Sequence, residues 1–92
     1  MTDDQTFEPI NPVTNVRVLG RYTLELRFKS GEARLIDVEP MLWGPAFADL
    51  LSDYELFKQV RVDLDSGTIV WPNGADLSPR TLYQESKPVV PA

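Results

Sequence analysis

The stretch YTLELRFK, residues 22–29, alternates without a break: Tyr22, Leu24, Leu26 and Phe28 fall on one face, Thr23, Glu25, Arg27 and Lys29 on the other. A period of two with one apolar and one polar face specifies a strand whose dry side is covered and whose wet side meets water. That is the habit of an antiparallel sheet. Ser30-Gly31 then reads as a tight turn, and residues 32–38 return as the next strand. Residues 13–19, rich in β-branched side chains, precede the alternating strand across Gly20-Arg21. One conflict stands in the third strand, where Leu35 and Ile36 are adjacent and cannot share a face.

The period changes in PMLWGPAFADLLSDYELFKQV, where Phe47, Leu50, Leu51 and Tyr54 recur at helical spacing. Pro45 after Gly44 suits a first helical position. Ser52-Asp53-Tyr54-Glu55 matches a capping box, which predicts two short helices meeting at Ser52. Leu56, Phe57 and Val60 continue the apolar face. Residues 60–64 and 68–71 read as two more strands around the turn Asp65-Ser66-Gly67. Pro72-Asn73-Gly74 ends the second of them, and Ser78-Pro79 starts a last helical turn holding Leu82 and Tyr83. Strands segregated from helices and joined by hairpins give an α+β fold. The expected architecture is a small antiparallel sheet of about five strands, with one or two short helices on one face and a short C-terminal helical turn. Its core should set Leu24, Leu26 and Phe28 against Phe47, Leu50, Leu51 and Phe57.

Ninety-two residues support one domain. Residues 1–12, with Pro9 and Pro12 among polar side chains, read as a flexible lead-in. Residues 13–85 form the domain, and 86–92 read as a Pro-rich tail, because two prolines in seven residues preclude a continuing helix or central strand.

Much catalytic chemistry is unavailable. The chain has no cysteine and no histidine, which removes thiol nucleophiles, thiolate metal sites, the commonest base at neutral pH and the commonest zinc ligand. The expectation is a protein that is not an enzyme and needs no cofactor. Apolar runs are too short to span a bilayer, and the acidic start MTDDQTFEP does not read as a signal peptide, so a cytoplasmic location is expected. A net charge of −5 disfavours broad phosphate binding and suits a basic protein partner better.

Several groups invite a functional reading beside a plainer one. Asp63-Leu64-Asp65-Ser66-Gly67 opens like a calcium loop, but Thr68 and Gly74 stand where the sixth-position glycine and the twelfth-position glutamate belong. A hairpin turn accounts for it. Asp37, Glu39 and Asp76 could gather as carboxylates for a metal, although acidic residues are common at strand ends. Arg17, Arg27, Lys29, Arg34 and Arg61 lie on predicted strands and could line one face as a nucleic-acid-binding stripe. Tyr22 on the dry face and the acids Glu25 and Glu32 speak against that.

The run GTIVWPNGADLSPRTLY concentrates the remaining candidates, Trp71, Asn73, Asp76 and Tyr83. Trp71 and Trp43 can each pack into the core, or one of them can anchor a partner. Asn73-Gly74 supplies turn geometry. Asp76 could accept from the free amides of the following helix and fasten the loop.

Together with YTLELRFKSGEARLIDVEPML and FADLLSDYELFKQVRVD, this run resembles a small, mainly bacterial family, domain of unknown function 2442, over residues 13–83. The segment from Trp71 through Asp76 to Leu82 and Tyr83 is the most specific. The resemblance implies a small α+β domain of hairpins and a helix, and carries no catalytic residues. It also implies an arrangement like a toxin–antitoxin pair, because members often lie beside a second small gene. Some members carry a helix-turn-helix domain after this one; none is expected here, which weakens a DNA-regulatory route. The expectation is therefore a non-enzymatic interaction domain, antitoxin-like, whose partner is a small protein encoded nearby, basic in charge. Nucleic-acid binding through the sheet face is the alternative.

Overall fold

In the computed structural model, residues 11–89 are described. Three strands open the fold: β1 Val13–Gly20, β2 Thr23–Phe28 and β3 Ala33–Asp37. They pair antiparallel, with Leu24 opposite both Val18 and Ile36, and Leu26 opposite Val16 and Arg34. Leu24, Leu26 and Phe28 are buried, as the alternation requires. The adjacent pair in β3 separates: Ile36 enters the core while Leu35 stays 37% exposed on the other face.

A single 3-10 turn, Glu39–Met41, leads into the helices. Helix α1, Pro45–Ser52, begins with proline at its first position, behind Gly44 at φ 97. Helix α2, Tyr54–Phe57, follows at once. Two short helices abutting near Ser52 are therefore correct, but the cap of the second is Asp53. Ser52 ends α1, its hydroxyl donating back to Asp49 O. Asp53 adopts extended backbone and its carboxylate accepts from Leu56 N–H at 3.2 Å. The break falls on the side chain that can reach an unpaired amide. Leu50 and Phe57 are fully buried, whereas Leu51 is 37% exposed, at the margin of the helix face, and Phe47 is only partly covered.

The remaining strands form a second sheet. Strands β4 Arg61–Asp63, β5 Thr68–Val70 and β6 Asp76–Leu77 pair antiparallel in that order. The expected single sheet is thus two. The first is tied to the second at its start: Val13 N–H donates to Gly67 O at 2.8 Å, and Lys29 N–H to Pro12 O at 2.8 Å. Gly67 has φ 73, and a side-chain carbon there would lie 2.9 Å from Pro12 Cβ, so only glycine fits. Pro12 and Asn11, which bonds Ser30, are therefore integral to the fold, while residues 1–10 of the expected lead-in lie outside the described residues.

Helix α3, Pro79–Glu85, is capped by Ser78, whose hydroxyl accepts from Thr81 N–H. It buries Leu82 against the core. The chain then adds strand β7, Lys87–Pro88, to the free edge of β3, giving the first sheet the order β1-β2-β3-β7. This corrects the expected tail at its start. Proline is tolerated at a sheet edge, where its missing N–H faces no partner, and Ser86 is buried and bonded to Arg34. Residues 90–92 lie outside the described residues.

Leu26 sits at the centre of this core, fully buried between Val16 and Arg34 on flanking strands. Leu26→Ala should destabilise the fold by about 2–5 kcal/mol in chemical denaturation, the range for a leucine cavity.

Candidate functional site

Trp71 stands at the end of β5, where Trp71 N–H donates to Ala75 O and Gly74 N–H donates back to Trp71 O, each at 2.9 Å. The indole is 1% exposed. Its ring lies 5.9 Å from that of Phe57, and Nε1–H donates to Phe57 O at 2.9 Å, which satisfies the one polar group it buries. Trp71 is therefore a core residue and not a surface anchor. The turn inserts the ring between the helices and the second sheet.

Asn73 takes the fastening role expected of Asp76. Asn73 Oδ1 accepts from Ala75 N–H at 3.1 Å, and Nδ2 donates to Ala46 O at 2.8 Å, tying the loop to the first turn of α1. Asp76 is exposed and its carboxylate makes no hydrogen bond among the described residues. The amide it was expected to satisfy, at the start of α3, is taken by Ser78. Asn73 is the fastener because its amide both donates and accepts, whereas a carboxylate can only accept.

Tyr83 belongs to a different neighbourhood. On α3, its ring meets Phe28 edge-on at 5.4 Å, and Arg34 stacks 4.1 Å from its centroid. Its hydroxyl donates to Glu32 Oε2 at 3.1 Å, while Glu32 Oε1 also holds Arg34 at 3.2 Å. Arg34 completes its fork on the chain end: Nε donates to Ser86 Oγ at 2.7 Å and Nη2 to Ser86 O at 2.8 Å. In the sequence Tyr83 stood out as a candidate beside Trp71, and Glu32 and Arg34 only as charges on a strand, while Ser86 gave no signal. Their convergence on Tyr83 and Ser86 spans about fifty residues of chain and is invisible to local patterning.

That cluster also breaks up the expected basic stripe. Arg34 points to the inner side, paired across from Leu26, with its side chain 13% exposed, and Arg17 is bound to Glu25 at 3.0 Å. The acidic candidates do not gather either. Asp37 Oδ1 accepts from Glu39 N–H at 3.0 Å, and Asp63 closes its own turn by accepting from Asp65 N–H and Ser66 Oγ–H. Among the described residues no group of three acidic side chains is placed to hold a metal ion. No helix among them is long and apolar enough to cross a membrane.

With Trp71 buried, the second tryptophan becomes the prominent surface feature. Trp43, between the 3-10 turn and α1, is 77% exposed. Among the described residues Leu64, at the tip of the β4–β5 turn, is the other large apolar side chain left mostly in water.

The two loop residues should separate in stability measurements. Asn73→Ala removes two hydrogen bonds and should cost about 1–2 kcal/mol, while Asp76→Ala should stay within about 0.5 kcal/mol of the parent.

Tyr83 carries a pH signature. Its hydrogen bond to the Glu32 carboxylate, with partial burial and the Glu32 charge adding to it, holds the phenol above its ordinary value, against the opposing Arg34 guanidinium. A pKa raised on folding gives stabilisation that is complete below the unfolded value of about 10 and lost as pH rises through the folded one. Alkaline absorbance titration should therefore show a late-ionising tyrosine that Tyr83→Phe removes.

Comparison with known proteins yields one relationship. The family described as "Protein of unknown function (DUF2442)" matches residues 13–88, most of the chain and through the end of β7. No curated protein and no solved structure matches. On that match the chain belongs to the DUF2442 family of proteins of unknown function.

Proposed function

We propose that the protein is a non-enzymatic interaction domain that binds another protein through the surface around Trp43, in the manner of an antitoxin-like member of a two-gene pair. The observation that carries this reading is the 77% exposure of Trp43. A tryptophan left in water forgoes the burial of a side chain of about 150–250 Å², and its ring is among the commonest binding hot spots. The connection that bears it is well defined, with Leu42 buried on one side and Gly44 capping α1 on the other.

The remaining chemistry supports binding over catalysis. Histidine and cysteine are absent from the sequence. Tyr83 is held in its neutral form by Glu32, opposite to what a tyrosine base or nucleophile needs. A net charge of −5 steers towards a basic partner, and a small basic protein encoded alongside fits that description.

The test is affinity capture of the tagged protein from its own cells, with Trp43→Ala as the paired control. The substitution should leave stability within about 0.5 kcal/mol of the parent and weaken the captured complex by about 2 kcal/mol or more. A folded Trp43→Ala protein that retains its partner at full affinity would overturn the reading.

A further inference from the structure

Strand β7 covers only part of the outer edge of β3, and a groove lies where it stops. About 720 Å³ in volume, it is lined by Leu35, Pro40 and Met41, with Asp37, Glu85 and Lys87 among its polar residues. One wall is the outer face of β3, the second is the 3-10 turn that leads to Trp43, and the third is the junction of α3 with β7.

The register of β3 defines what can lie in it. In an antiparallel strand, backbone groups turn alternately to the two neighbours. Phe28 N–H donates to Glu32 O and Val38 N–H to Tyr22 O, so the even-numbered residues face β2. Val89 N–H donates to Ala33 O, so the odd-numbered residues face β7. Leu35 is opposite Lys87, but Asp37 has no strand residue opposite it, because the chain before Lys87 is still in α3. The Asp37 amide and carbonyl are thus turned towards the groove with no strand to pair with.

The charges define the occupant further. Two carboxylates and one ammonium group line the groove, leaving it net negative. Among the described residues Glu85 makes no ion pair, and it occupies the last position of α3. Negative charge is disfavoured at a helix C-terminus, where the dipole is also negative, so helix stability does not account for it.

We propose that this groove receives an extended segment of a partner protein that carries apolar side chains and Lys or Arg in turn along one strand face, pairing with the free end of the β3 edge as a short added strand. The apolar side chains lie on Leu35 and Met41, the cations meet Asp37 and Glu85, and the backbone pairs with Asp37. This rests on the interaction reading above and assigns it a second contact beside Trp43. Main-chain pairing supplies affinity in such strand addition, and the alternate side chains supply specificity.

The probes are a short synthetic peptide that carries leucine and arginine in turn on one strand face with threonine at the positions between, its leucine–glutamate counterpart, and the leucine–arginine peptide with alternate backbone amides N-methylated. Each is titrated into the whole isotope-labelled protein. The leucine–arginine peptide should bind saturably, with amide shifts concentrated at Leu35, Asp37, Met41 and Lys87, and the other two should bind weakly or not at all. Glu85→Lys, which suits the helix terminus and should leave the fold intact, should weaken the leucine–arginine peptide by about fivefold and favour the leucine–glutamate one. Equal binding of the two charge types, or unchanged affinity in Glu85→Lys, would overturn the charge assignment and with it the proposal. Unchanged binding of the N-methylated peptide would overturn the added strand. If the groove amides stay unmoved while Trp43→Ala still loses the captured partner, the groove is wrong and the interaction reading stands.

Discussion

Tyr22 holds the layers of this protein together. It sits in the turn between β1 and β2 at φ 67, a backbone conformation that bulky L-residues rarely adopt. Surrounding contacts must hold it there. Its hydroxyl donates to Leu51 O at 2.6 Å, and its ring meets Phe57 edge-on at 5.1 Å. Phe57 in turn lies against Trp71, whose indole N–H donates to the Phe57 carbonyl. First sheet, helices and second sheet are joined by three aromatic residues in succession. Each polar group that this packing buries finds a backbone carbonyl, so the aromatic area is gained without an unpaired donor.

A second tie closes the other end of the first sheet. Arg34 lies on the inner face of β3, where a charge would be costly without partners. Glu32, Ser86 and the face of Tyr83 supply them. The planar guanidinium reaches all three at once, which a lysine could not do. Through this residue α3 and the following strand are attached to β3, even though β7 itself is only two residues long. The groove at the far end of the β3 edge exists because that attachment stops where it does.

The protein's interior and surface thus divide their aromatic residues by duty. Tyr22, Phe28, Phe57 and Trp71 are committed to packing, and among the described residues Trp43 alone of the large aromatics is left mostly in water. The acidic surface has few local pairings: Arg17 with Glu25, Arg34 with Glu32 and Lys58 with Glu55 are the ion pairs among the described residues. The exposed pairs of Arg17 and Lys58 contribute little to stability.

The sequence by itself determined five of the seven described strands, the two short helices and most of the core, because those follow from periodicity, and periodicity is local. The alternation of residues 22–29 placed Leu24, Leu26 and Phe28 inside, and the helical spacing found Leu50 and Phe57. Family membership was legible for the same reason, in runs of adjacent residues. Tertiary structure decided everything that depends on which distant segments meet. It split one expected sheet into two and made Lys87–Pro88 a strand, since an edge can be filled by any segment that reaches it. It also chose between the tryptophans. Both Trp43 and Trp71 stand beside turns and look alike in sequence, but only Trp71 finds the Phe57 carbonyl within reach of its indole N–H. Asn73 displaced Asp76 as the loop's fastener on the same ground, because Ala46, twenty-seven residues earlier, offers a carbonyl that only a donor can use. Burial of a polar group is settled by its partner, and the partner is fixed only when the chain has folded.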